Sequence, residues 1–387
     1  MAQATQTSWT FMIPVVGGLL IGLLARFVSD GIRGHGLPET MEKILYGDSL
    51  IPKSMVILKP IASALAIGTG GPFGVEGPII ATGGSLGSFF GRWTLWGPRE
   101  RKILLATGAA TGLTAIFGTP VAAVMLSIEL LLFEFSATTF IPVVVGVGVA
   151  YAIRVTMGQR TPVFAMNIDE VEYGANLLYY LLVGSFTGLV SCLVTKSLLS
   201  VEDLFEKLPI HWMWWPALGG LGVGIMGYFD PRSLGVGYEN VVQALHGQML
   251  MKAALILFFS KFISWVIALG SGTAGGTLAP LMTLGSCCGL VLGHIGLALF
   301  PLSHVRPEVC ALVGMSAMFA GSTRAILTST IISLESTGIS FSVAPLLLGN
   351  SAAYVISTFL MEETLFTEKL SRAGKHIPHE YFHVKTK

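Results

Sequence analysis

The sequence predicts an all-α polytopic membrane protein of two inverted-topology repeats, with broken and re-entrant helices. Three observations lead there. Of 387 residues, 52% are hydrophobic and only 12% are charged, a balance of membrane proteins rather than soluble domains. Forty-seven glycines and eighteen prolines are too many for uninterrupted spans. Broken helices survive in a bilayer only where protein or a water-filled cavity covers the freed backbone. The third observation is self-similarity at one offset. Adding 202 carries Pro14, Gly18 and Gly22 onto Pro216, Gly220 and Gly224, and Gly70, Gly74 and Pro78 onto Gly272, Gly276 and Pro280. Gly83, Gly87 and Gly91 reach Gly285, Gly289 and Gly293 in the same way, and Gly34 and Gly36 reach Gly235 and Gly237 at 201. Chance glycine matches do not hold one offset over a hundred residues.

Apolar runs lie near 11–28, 54–67, 77–91, 103–116, 120–135, 139–157, 175–199, 212–228, 250–269, 278–300, 309–320, 326–335 and 342–361. Several fall short of the ~20 residues of a full helical crossing, as half-crossing helices do. The polar stretch 158–174, with Arg160, Asp169, Glu170 and Glu172, divides the chain into a first repeat over 1–157 and a second over 175–366. A basic tail over 367–387 follows. Arg92, Arg99, Arg101 and Lys102 stand against Glu100 alone, whereas the matching stretch 294–308 has Arg306 against Glu308. Basic loops favour the cytoplasm, so the first loop is expected inside and its counterpart outside, which requires inversion. Lys369, Arg372, Lys375, Lys385 and Lys387 place the tail inside too. A net charge of +1 gives no basic surface for nucleic acid. Cys192, Cys287, Cys288 and Cys310 sit in apolar stretches and read as core residues, not a disulfide framework. Ala2 to Thr7 lacks the basic start of a cleavable signal.

Three glycine-rich helix starts carry the chemistry: Gly34-His-Gly-Leu-Pro-Glu39, Gly74-Val-Glu-Gly-Pro78 and Gly275-Gly-Thr-Leu-Ala-Pro280. Proline suits a first turn, where its missing N–H has no partner to lose. Glycine lets a backbone come close to something small. A helix start offers unpartnered N–H groups and positive partial charge, so it draws anions. Glu76 stands where it can fill such a place itself or swing aside for a dissolved anion, which is what a gate does.

The ordered set resembles the CLC family of chloride channels and proton-coupled anion exchangers, from about Trp9 to about Phe366. The resemblance implies a CLC-like fold, a homodimer with one pathway per subunit, and transport of small inorganic anions. Chloride or another halide is the bound ion, and no organic cofactor or metal is expected. It identifies Glu76 as the gating glutamate. His35, Gly36, Gly77, Thr277, Leu278 and Phe366 are the matching anion-site positions. His35 replaces a serine, Leu278 a phenylalanine and Phe366 a tyrosine, so two side-chain donors of the usual site are changed. Lys59 matches a buried lysine that supports the anion path, or else snorkels. In Pro120–Leu130 the inner proton carrier of many exchangers becomes Leu130. Glu129 lies one residue earlier, about 100° round the helix, and Glu335 is its second-repeat counterpart. The resemblance also implies a first repeat lacking the most N-terminal helices of relatives, and a bacterial plasma membrane as the address.

Proton exchange and uncoupled conduction both fit the resemblance; Leu130 favours the uncoupled form, while His35 and Phe366 raise a fluoride-selective transporter. A sodium-coupled solute transporter with inverted repeats is the rival from another class. Gly83-Gly-Ser85-Leu-Gly87 spells a hydrolase elbow, but its twin lacks the serine and no acid–histidine partner is apparent. Glycines at 83, 87 and 91 instead form a ridge for close helix packing. His376, His379 and His383 lack a zinc signature and read as part of a solvated tail.

Overall fold

The computed structural model describes residues 10–94, 97–168, 174–300, 305–339 and 342–375. The first repeat comprises α1 (Ile13–Phe27), α2 (Leu37–Tyr46), α3 (Met55–Gly68), α4 (Glu76–Trp93), α5 (Pro98–Phe117), α6 (Pro120–Leu126) and α7 (Ala137–Thr156). A wider π turn over Ser127–Leu132 extends α6. The second opens with α8 (Ala175–Glu206) and continues with α9 (Trp215–Phe229), α10 (Tyr238–Leu245), α11 (Met251–Gly270), α12 (Leu278–Leu299), α13 (Pro307–Thr323), α14 (Ile326–Thr337) and α15 (Val343–Leu360). A short α16 (Glu368–Arg372) closes the described chain. Proline occupies the first or second position of α1, α2, α5, α6, α9 and α13. Left-handed glycines stop α5 at Gly118 and α14 at Gly338, the usual device for ending a helix sharply.

The pairs α1/α9, α2/α10, α3/α11, α4/α12, α5/α13, α6/α14 and α7/α15 follow the sequence repeat, and α8 has no counterpart among the described residues. Contacts between α1 and α9 are reciprocal, as a pseudo-two-fold axis demands. A methyl group built on Gly18 would lie 2.0 Å from the Pro216 carbonyl oxygen, and one on Gly220 would lie 2.2 Å from that of Pro14. Gly22 meets Met213, and Gly224 meets Phe11, each at 2.0 Å. Only glycine allows helices this close. The core gathers on α12 and α13, and α13 is buried from Val309 to Thr323. Among the described residues, six helices are long and apolar enough to cross a membrane: the segment Thr10–Phe27 containing α1, then α7, α8, α11, α12 and α15.

Two segments depart from the sequence reading. The polar stretch between the repeats does more than separate them. Phe164 donates its amide to the Ser336 carbonyl at 2.8 Å, and Met166 does so to Thr337 at 3.0 Å, while the Phe164 ring is fully buried. An apolar anchor thus outweighs the polar composition around it; residues 169–173 lie outside the described part. The start of the basic tail is held by ion pairs while most of its residues stay exposed. Lys369 faces Glu39 at 3.7 Å, Arg372 pairs with Asp203, and Lys375 pairs with Glu42. His376, His379, His383, Lys385 and Lys387 lie outside the described residues. Such partly exposed pairs contribute about 0–1 kcal/mol each, enough to orient a short helix.

Gly220→Val should lower the thermal unfolding midpoint of the purified protein in detergent by several degrees, since overpacking typically costs about 1–3 kcal/mol. Gly148→Val, with nothing within 4 Å of the added methyl, should leave it within a degree or so; fluorescence-monitored melting checks both.

Candidate functional site

The two repeats touch through equivalent residues. Gly74 donates its amide to the Gly276 carbonyl at 3.1 Å, and Gly276 donates to that of Gly74 at 2.9 Å. This pairing sets the start of α4 against the start of α12. The start of α2 joins them. A methyl on Gly36 would stand 2.5 Å from the Gly77 carbonyl oxygen; one on Gly77 would stand 2.1 Å from that of His35 and 3.1 Å from Gly276 Cα. Gly36 itself has φ +88°, a conformation side-chain-bearing residues rarely adopt. Three helix starts therefore converge, with their amides and positive dipole ends in one place.

Glu76, the first residue of α4, is 1% exposed. Its Oε1 accepts the Tyr238 hydroxyl at 2.5 Å. Its Oε2 has no hydrogen-bond partner among the described residues and lies against Gly74. A Cβ there would be 1.7 Å from Oε2 and 3.1 Å from the Ala279 amide nitrogen of α12. The carboxylate thus rests over the start of α12. Tyr238 opens α10 and is walled by Phe164 at 5.4 Å and Phe117 at 5.9 Å between ring centres.

Gly36, Gly77, Thr277 and Leu278 lie at these helix starts, the last two buried at the head of α12. The His35 ring is buried; Nε2 lies 3.5 Å from Glu202 Oε1, and Nδ1 has no hydrogen-bond partner among the described residues. Phe366 is buried in a turn that Leu365 ties to the Ser322 carbonyl at 3.0 Å. Lys59 donates to the carbonyls of Ile32, Arg33 and Gly34 at 3.0, 3.1 and 3.2 Å. It therefore fastens the loop that enters α2, with its charge spread over carbonyl dipoles. Snorkelling does not describe it.

Glu129 lies at a different joint. Its oxygens accept the amides of Leu327 at 3.1 Å and Thr328 at 2.7 Å, plus the Thr328 hydroxyl at 2.6 Å, so it caps α14. Glu335 caps α6 in return, through Val121 at 3.0 Å and Ala122 at 2.8 Å. Ser85 gives its hydroxyl to the Ala81 carbonyl at 2.7 Å inside α4, in line with helix packing.

Sequence reading passed over Tyr238, Lys261 and Glu202. The repeat held the signal for Lys261, which stands 202 residues after Lys59 and donates to the carbonyls of Ser233 at 3.1 Å and Gly235 at 2.6 Å. The shift of 201 likewise sets Tyr238 opposite Leu37. Nothing in the sequence flags Glu202, whose role depends on how α8 packs.

The family profile described as voltage gated chloride channel matches residues 17–358. An H(+)/Cl(-) exchange transporter, ClcA, of Klebsiella pneumoniae is 29% identical over 363 residues, 90% of this chain and 75% of that protein. The crystal structure of a slow cyanobacterial Cl-/H+ antiporter superposes with a TM-score of 0.86 at 26% identity, covering 94% of this chain and 86% of that one. A CLC-type fluoride/proton antiporter shares the fold at TM-score 0.80 and 20% identity, over 92% and 87% of the two chains.

Lys261→Met should destabilise the fold by about 1–3 kcal/mol, the cost of losing charged hydrogen bonds and stranding buried carbonyls. Exposed Lys252→Met should not, as thermal unfolding in detergent would register.

Proposed function

The chain belongs to the voltage gated chloride channel family, and from that premise we propose that it carries chloride or a similar small inorganic anion through the site at the starts of α2, α4 and α12, with Glu76 as gate. The supporting observation is the seat of the Glu76 carboxylate over the head of α12, with one oxygen bonded and one not. Removing water from a halide is costly, and converging amides offset that cost without burying a second full charge. Gly36, Gly77, Thr277 and Leu278 contribute backbone, and His35, next to Gly36, contributes a polar ring. Phe366 has no hydroxyl to offer.

An ionised Glu76 competes with the anion for one positive region. Protonation removes the competing charge, so acid outside should raise flux. The Tyr238 hydroxyl holds the carboxylate in place, and a hydrogen bond to a charged group is worth about 1.5–3 kcal/mol. The uncoupled reading retains a specific support: Leu130 stands beside Glu129, whose oxygens are engaged on α14. A homodimer in a bacterial plasma membrane, with lipid around each subunit, completes the proposal. His35 and Phe366 leave chloride and fluoride to be separated by comparing efflux of the two ions.

In proteoliposomes, Glu76→Gln should abolish the acid stimulation of chloride efflux. Tyr238→Phe should raise efflux at neutral pH severalfold and shrink the acid response, because the latch is looser. Efflux from Glu76→Gln with an intact pH dependence would refute the gate, and uptake of an organic solute with sodium would point to the rival class.

A further inference from the structure

The loop before α2 meets the end of α8 through two titratable side chains. Glu202 is partly exposed, its side chain 23% accessible, whereas that of His35 is 5% accessible. Their facing atoms, Glu202 Oε1 and His35 Nε2, are 3.5 Å apart. On the far side of the ring, Nδ1 is buried with no partner among the described residues. The His35 carbonyl packs against Gly77, the residue that follows Glu76, whose Oε2 is also buried and without a partner. A buried polar atom left without a partner costs about 1–3 kcal/mol. Two of them, on proton-binding groups beside one helix start, call for a functional explanation.

We infer that Glu202 and His35 form a proton relay between the aqueous end of α8 and the anion site. This rests on the anion-transport reading above and adds a proton route to it. Glu202 takes a proton from water as a carboxylic acid and passes it to Nε2 of the ring protonated at Nδ1. The ring is then cationic with an N–H on each nitrogen, and the carboxylate is restored. The Nδ1 proton leaves toward the anion site, the ring becomes neutral with its proton on Nε2, and a tautomer exchange or ring flip resets it. No electron moves and no co-reactant is required.

The charges around the ring suit this role. From α2, Glu39 lies within electrostatic reach of His35, and Glu39 is in turn balanced by Lys59 of α3 and Lys369 of α16. Arg33, two residues earlier in the same loop, stands over the Trp212 ring at 4.4 Å. Asp203 pairs with Arg372. Glu202 faces the ring nitrogen directly. A cationic His35 beside Gly36 and Gly77 would bind an anion more tightly, and by linkage a bound anion would hold the proton more tightly. That reciprocity ties the two fluxes together.

The test is proton movement driven by a chloride gradient in proteoliposomes holding the full chain, with chloride efflux measured in parallel. Wild-type protein should move protons, and Glu202→Gln should lower the ratio of proton to chloride flux at least tenfold. His35→Gln should do the same, while Asp203→Asn should keep the wild-type ratio. Glu202→Asp should recover part of the ratio, which a merely structural role for Glu202 would not predict. Size-exclusion profiles in detergent confirm that each variant is folded. No proton movement by wild-type protein, or an unchanged ratio in Glu202→Gln, would overturn the relay. Chloride efflux that still responds to Glu76→Gln in those cases would leave the gate standing, so the two failures are distinguishable.

Discussion

The reciprocal hydrogen bonds between Gly74 and Gly276 are the constraint on which the site depends. They join the same residue of two repeats across a pseudo-two-fold axis, and they do so where each chain turns into a helix. A side chain at Gly276 would push the loops apart, because its Cβ would lie 2.5 Å from the Gly74 carbonyl oxygen, and one at Gly74 would displace the Glu76 carboxylate, 1.7 Å from the added Cβ. Holding two helix starts face to face concentrates positive dipole ends inside an apolar protein, an arrangement that requires a negative charge. Lys59 and Lys261, each fastening the carbonyls of the loop ahead, hold α2 and α10 in matching places around that centre.

Carboxylates from the chain supply negative charge at several of these helix starts. Glu39 accepts the Gly36 amide of its own helix at 2.7 Å. Glu129 caps α14 with three hydrogen bonds, and Glu335 caps α6 with two. Glu76 is held differently: one oxygen accepts a tyrosine hydroxyl, and the other, near the Ala279 amide, has no hydrogen-bond partner among the described residues. With charged hydrogen bonds worth about 1.5–3 kcal/mol apiece, Glu129, with three, is held more firmly than Glu76.

Much of this was legible beforehand. Apolar runs located nearly all the spans, and the 202-residue offset revealed the duplication. Helices α2 and α10 were harder, since Glu39, Glu42 and Lys43, or Glu239 and Asn240, interrupt any apolar run. Glu76 stood out because a carboxylate between glycines at a helix start is costly in a membrane unless used. Tyr238 and Glu202 did not stand out, because their importance comes from packing between elements 162 residues apart in one case and from the end of α8 in the other. Phe164 lies in an apolar run, 162–166, too short to read as a span inside an otherwise polar stretch, although its ring is fully buried. The family resemblance offered Glu129 as a possible path residue; only the opposite repeat shows what its oxygens bind.

The central claim is that the starts of α2, α4 and α12 hold a bare halide in the place Glu76 otherwise fills. Anomalous diffraction from crystals of Glu76→Gln grown in bromide tests it most directly. A bromide peak beside the amides of Leu278 and Ala279, stronger than in wild-type crystals, is the result expected. Bromide absent from that position, or bound equally whether or not the carboxylate is present, would contradict it.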